Sequence, residues 1–115
     1  APHPTIRFDE DGELVGVSTP RPHLTERLKQ IGGHIGIGVR PSAQGRGVAK
    51  ELLKQTLNQA RCLGISEAVV ICLKDNLASS GVIKANGGRI ELEYSVPEYA
   101  GLLQRYIIPI DMGSA

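Results

Sequence analysis

The stretch RPSAQGRGVAKELL, residues 40–53, sets a proline, a small polar pair and two glycines flanking an arginine just ahead of a helical apolar pattern. Glycines let a backbone come close to a ligand, and the first turn of a helix offers unpaired N–H groups at the positive end of its dipole. Those residue types in that order suit an anion, a phosphate above all. Two tight phosphate motifs fail here. GxxxxGK[ST] needs a lysine directly after its second glycine, and neither Gly45 nor Gly47 is followed by one. GxGxxG begun at Gly36 meets Pro41, and begun at Gly45 it meets Lys50. From the loop alone, an anion site and a plain strand-to-helix turn both stand.

The elements that must position this loop follow from the periodicity. TIRF and ELVGVST flank DEDG, a turn signal, and predict an antiparallel hairpin. PRPHLTERLKQIGG reads as a connecting excursion with two prolines and a closing glycine pair. HIGIGV alternates Ile35, Ile37 and Val39 with His34, Gly36 and Gly38, a strand with one apolar and one nearly bare face. Glycines weaken a strand unless a bulge or an approaching ligand uses the space. Val48, Leu52, Leu53, Leu57 and Ala60 recur at helical spacing until Gly64, with Lys50, Glu51, Lys54, Asn58 and Arg61 outside. EAVVICL is the continuous β-branched run of a strand covered on both sides. NLASSGVIKANGG predicts a helix opened by Asn76 and stopped by Gly87 and Gly88. RIELEYSV alternates, placing Glu91 and Glu93 on one face, and LLQRYIIPI supplies a last strand. The expected architecture is one α/β domain over residues 1–115 with a mixed sheet.

Composition narrows the function. Thirteen Lys and Arg against twelve Asp and Glu give a net charge of +1, so no strong field invites a polyanion. One Phe, three Tyr and no Trp make a poor stacking platform, which argues against nucleic acid. No apolar run approaches the roughly 20 residues of a membrane span. APHPTIRF lacks the regions of a signal peptide. Cys62 and Cys72 lack CxxC spacing and read as two core thiols of a cytoplasmic protein, with no metal set.

VRPSAQGRGVA resembles the acyl-CoA motif of the GNAT superfamily of N-acetyltransferases: Gln or Arg, two residues, Gly, one residue, Gly or Ala. Gln44, Gly47 and Ala49 match, with Val39 and Pro41 at the family's offsets. KDNLASSGVIKANGG resembles the family's second cofactor segment, and the resemblance covers roughly residues 6–110. It implies the acyl-CoA N-acyltransferase fold, a mixed, mostly antiparallel twisted sheet with flanking helices. The usual strand and two helices ahead of the hairpin have no counterpart, so the domain is expected to be truncated at its N-terminus.

The resemblance implies acetyl-CoA as co-substrate and an amine of a small molecule or peptide as acceptor. Backbone groups of Gln44, Gly45, Arg46, Gly47, Val48 and Ala49 would hold the pyrophosphate, with Arg46 adding charge. The backbone of Ile37, Gly38 and Val39 would pair with the pantetheine arm, which a splayed strand admits. Asn76 would meet the arm's far end, with a hydroxyl from Ser79 or Ser80 nearby. Val39 N–H would serve as oxyanion donor. His34 would serve as general base, an imidazole having an unperturbed pKa of about 6.5. The family's tyrosine acid would fall at Ile83, leaving Tyr94 and Tyr106 as substitutes. A non-catalytic acyl-CoA module that regulates a partner is the alternative. Ile6, Phe8, Leu14 and Val17 would be left uncovered on the hairpin, so a homodimer is expected, the partner covering the hairpin or the final strand.

Overall fold

In the computed structural model, which describes residues 6–10, 13–20, 24–26, 31, 33–39 and 47–110, the sequence signals above become eight elements. They run β1 (Ile6–Glu10), β2 (Glu13–Pro20), β3 (Ile35–Val39), α1 (Val48–Cys62), β4 (Glu67–Leu73), α2 (Leu77–Ala85), β5 (Arg89–Tyr94) and β6 (Leu103–Pro109). The mostly antiparallel α/β fold is the one expected. Its strands form two three-stranded antiparallel sheets, ordered β1-β2-β3 and β4-β6-β5. The side chains of Ile6, Phe8, Leu14 and Val17 lie outside the described residues.

Helix α1 buries Val48, Leu52, Leu53, Thr56 and Ala60. Thr56 is the position that an apolar pattern overlooks, while Leu57 sits half-buried at the rim. The Thr56 hydroxyl donates to the Leu52 carbonyl at 2.6 Å. Its one proton thus committed, it accepts from Ser18 Oγ of β2. Both residues are fully buried, so this pair is the polar seam between α1 and β2. The helix stops where Ile65 N–H reaches the Ala60 carbonyl at 3.1 Å and Gly64 N–H reaches Arg61 at 3.0 Å, two bonds that satisfy the last carbonyls.

Along β4 the face bearing Ala68 and Val70 is buried, opposite Ile108 and Tyr106 of β6. Leu53 and Ala60 of α1 and Ile83 of α2 close over it, together with Ile35 of β3, to make the core. Val69 and Ile71, on the other face, are half-buried, so β4 is less covered than its unbroken apolar run suggests. Three further expectations change. A bulge between Ile90 and Leu92 interrupts β5. Glu91 accepts from Arg105 Nε at 2.9 Å and Glu93 from Gln104 Nε2 at 3.1 Å. Arg105 and Gln104 are consecutive and point to opposite faces, so the two acids do not share one. The last strand, β6, lies between β4 and β5 and has no open edge; among the described residues β1 and β5 are outermost. Nor are both cysteines core thiols. Cys62 is exposed and Cys72 half-buried, and both are free.

Candidate functional site

The two sheets meet at His34. Its backbone N–H donates to the Val69 carbonyl at 2.7 Å, and the Val69 N–H donates to its ring Nδ1 at 2.8 Å. Gly33 makes the approach possible. Its φ is +64°, and a Cβ there would stand 2.3 Å from the Val69 oxygen, a separation that side chains do not tolerate. Beyond this junction β3 and β4 run side by side in the same direction but are not paired strands. Gly36, Ile37, Gly38 and Val39 on one side, and Val70, Ile71 and Cys72 on the other, line a cleft of about 1000 Å³.

The first turn of α1 forms one end of the cleft through Gly47, Val48, Ala49 and Lys50, and α2 forms a wall through Asn76, Leu77, Ala78, Ser79 and Val82. Gly47 is the N-cap of α1, with φ 79° and no side-chain cap. No atom lies within 4 Å of where its Cβ would be, so the left-handed turn, not crowding, is what asks for glycine. Asn76 caps α2, its Oδ1 accepting from Ser79 N–H at 3.1 Å. Ser80 faces inward, its hydroxyl on the Leu77 carbonyl at 3.2 Å. Asn86 Nδ2 donates to the carbonyls of Lys50 at 3.3 Å and Val82 at 3.1 Å. That side chain ties the end of α2 to the first turn of α1, fixing the two helices that bound the cleft.

Of the site residues expected from sequence, Ile37, Gly38, Val39, Gly47, Val48, Ala49, Asn76 and Ser79 line this one cleft. Gln44, Gly45 and Arg46 lie outside the described residues. His34 stands at the junction and not along the lining. With Nδ1 accepting a hydrogen bond, the neutral ring carries its proton on Nε2. Neither nitrogen then has a lone pair for an incoming proton while the bond holds. Sequence reasoning missed Lys50 and Cys72, although Cys72 shares strand parity with Val70 and so faces the helices. It also missed Gly33 and Asn86, whose partners are distant in the chain.

Lys50 and Cys72 are the ionisable side chains among the described lining residues. Burial holds the Cys72 thiol above its ordinary value, with Lys84 opposing, so Cys72 is protonated at neutral pH. Tyr94 and Tyr106 do not line the cleft. Burial raises Tyr94 against the opposing charge of Arg105, whose guanidinium carbon is 5.9 Å from the ring centroid. Burial also raises Tyr106, reinforced by Cys72 and Glu93 and opposed by the nearby Ser80 hydroxyl; its own hydroxyl donates to Gln104 Oε1 at 2.8 Å. Among the described residues no cluster of three or more His, Cys, Asp or Glu could hold a metal. No described helix is long and apolar enough to cross a membrane.

An α/β domain whose sheet opens beside a helix N-terminus is an architecture shared with known proteins. Residues 4–89 match the family model described as the acetyltransferase (GNAT) domain. The chain belongs to the GNAT acetyltransferase family. It is 32% identical over 79 residues to mycothiol acetyltransferase of Streptomyces coelicolor, an alignment covering 69% of this chain and 25% of that protein. The corresponding Streptomyces avermitilis protein aligns to the same extent, so the chain spans about a quarter of the length of these relatives. Among solved structures, an N-acetyltransferase of Staphylococcus aureus superposes with a TM-score of 0.78 at 21% identity, covering 95% of this chain and 68% of that one. A phosphinothricin acetyltransferase of Sinorhizobium meliloti, in complex with acetyl-CoA, superposes at 0.76 with 16% identity, covering 97% and 63%.

Proposed function

We propose that this domain is an N-acetyltransferase that takes acetyl-CoA into the cleft between β3 and β4 and transfers the acetyl group to an amine of a small molecule or peptide. The observation that carries the reading is the parting of β3 from β4 beyond His34, with a helix N-terminus at one end of the opening. An extended pantetheine arm can lie along β3 like an added strand, using the backbone of Ile37, Gly38 and Val39. The pyrophosphate is assigned to the loop 44–49 and the dipole of α1, with Lys50 adding a positive charge. Asn76, whose Oδ1 serves the cap, offers its Nδ2 group to a pantetheine carbonyl, and the Ser79 hydroxyl adds a polar contact beside it.

The amine nitrogen attacks the thioester carbon, the C–S bond breaks, and the thiolate leaves, taking up the proton that the amine gives off. The Val39 N–H is assigned as donor to the carbonyl oxygen as charge builds there. A thiol of reference pKa about 8.5 leaves readily without a protein acid, consistent with tyrosines that stand away from the cleft. A second reading rests on the same lining. Lys50 and Cys72 are its described ionisable groups, which also suits a non-catalytic acyl-CoA module acting on a partner. Free thiols fit a reducing cytoplasm, and self-association is assigned to an open strand edge. There β5 exposes Ile90 at 51% and Leu92 at 45%.

Thiol release from acetyl-CoA, measured against a panel of small amines and peptides beside calorimetry of acetyl-CoA, separates the readings. Binding with acceptor-dependent release supports the enzyme; binding without release for any acceptor supports the module. Gly47→Val should weaken binding by about tenfold or more, because a branched side chain both strains the turn and blocks the backbone approach, while exposed Asn58→Ala should leave it unchanged. Equal affinities in the two variants would remove the loop from the site.

A further inference from the structure

His34 uses two different groups on a single residue of the other sheet. Its peptide N–H donates to the Val69 carbonyl at 2.7 Å and its ring Nδ1 accepts from the Val69 N–H at 2.8 Å. Both main-chain groups of Val69 are thereby committed to His34. An imidazole nitrogen stands where a continued parallel ladder would place a backbone carbonyl. Two facts make this more than a chance contact. The chain before the ring is pressed against the same carbonyl, since Gly33 leaves no room for a Cβ there. And the pairing of the two sheets does not continue as a ladder, so the opening between β3 and β4 begins at this residue.

We propose that His34 is a positioning residue, a two-point clamp on Val69 that sets where and how widely β3 and β4 part, and so fixes the cleft for the acyl-CoA arm. The proposal rests on the acyl-CoA reading of the cleft for its functional consequence, but the clamp itself does not. It also redefines the part expected of His34 as a base. A ring that must accept at Nδ1 carries its proton on Nε2, and a clamp and a base are then incompatible demands on the same lone pairs.

The substitution that separates them is His34→Asn, whose side-chain oxygen falls near the position of Nδ1 and can accept from Val69. His34→Leu fills similar space and accepts nothing. Three measurements follow: the ring tautomer of the ¹⁵N-labelled protein by NMR, the hydrogen-exchange rate of the Val69 amide, and calorimetry with coenzyme A. The clamp predicts the Nε2–H tautomer with an accepting Nδ1. It predicts that His34→Asn keeps Val69 protected, with coenzyme A affinity close to that of the unsubstituted protein. In His34→Leu, Val69 exchange should speed up and affinity fall by about tenfold, the scale of one lost hydrogen bond. A base would instead show His34→Asn binding normally while turnover drops by about a hundredfold or more.

A proton on Nδ1, or a Val69 amide equally protected in His34→Leu, overturns the clamp, as does an Asn variant that behaves like the Leu variant. If His34→Leu does not fold, the tautomer spectrum and the Asn variant still decide. If the unsubstituted protein binds no coenzyme A, the acyl-CoA reading fails, while the tautomer and Val69 exchange continue to test the clamp.

Discussion

Gly33 and Gly47 hold similar left-handed backbones, φ +64° and +79°, in opposite surroundings, so replacing each by alanine separates strain from contact. The left-handed cost to a non-glycine residue is about 1–2 kcal/mol, offset by about 0.4–1 kcal/mol because alanine restricts the unfolded chain. For Gly47→Ala that is nearly the whole effect, since nothing lies within 4 Å of the new Cβ; a net loss of about 1 kcal/mol is expected. Gly33→Ala carries the same strain and adds a Cβ placed 2.3 Å from the Val69 oxygen. Reaching an ordinary contact means moving that carbonyl by about 1 Å, which breaks its 2.7 Å bond from His34 N–H and disturbs the ring bond beside it. Two hydrogen bonds at about 0.5–1.5 kcal/mol each put the difference between the variants at roughly 1–3 kcal/mol. Urea unfolding followed by circular dichroism, with a common m-value, measures it. Equal losses for the two alanines would show that the sheets do not meet through this carbonyl.

Three more outcomes are expected. Thr56→Val should cost about 1–3 kcal/mol by leaving the buried Ser18 hydroxyl without its acceptor, and adding Ser18→Ala should recover much of it; additive losses in a double-mutant cycle would contradict the seam. Alkylation followed by mass spectrometry should find exposed Cys62 modified before Cys72, whose thiol burial holds protonated. Acetyl-CoA should protect Cys72 alone, and protection of Cys62 instead would count against the cleft. Because burial raises Tyr106, the folded chain holds that proton more tightly than the unfolded one. Stability should therefore be intact below the unfolded value of about 10 and fall as pH rises beyond it, and Tyr106→Phe should flatten that alkaline limb. An unchanged limb would refute this assignment.

How much was legible depends on how local each signal is. EAVVICL reads as β4 to the residue because a β-branched apolar run between Ser66 and Lys74 admits little else. Asn76 and the glycine pair bound α2 because cap chemistry lies within a few residues of the helix it serves. Thr56 escaped because a hydroxyl that bonds its own helix carbonyl enters the core as a polar letter in an apolar pattern. The β5 bulge escaped because alternation in one strand carries no record of its partner's register. The lining residues of β3, α1 and α2 were found through the family resemblance, whereas the junction was not. His34 was singled out for its chemistry, and its role depends on a residue 35 positions away.

The central claim is that an acyl-CoA lies between β3 and β4 with its phosphates at the start of α1, and amide chemical-shift mapping with acetyl-CoA tests it most directly. Saturating ligand should move the amides of Gly36, Ile37, Gly38 and Val39, those of Gly47, Val48, Ala49 and Lys50, and those of Leu77, Ala78 and Ser79 along α2. Resonances of β5 and the outer face of α1, such as Asn58, should stay in place. Shifts absent at millimolar ligand, or confined to β5 and β6, would contradict the account.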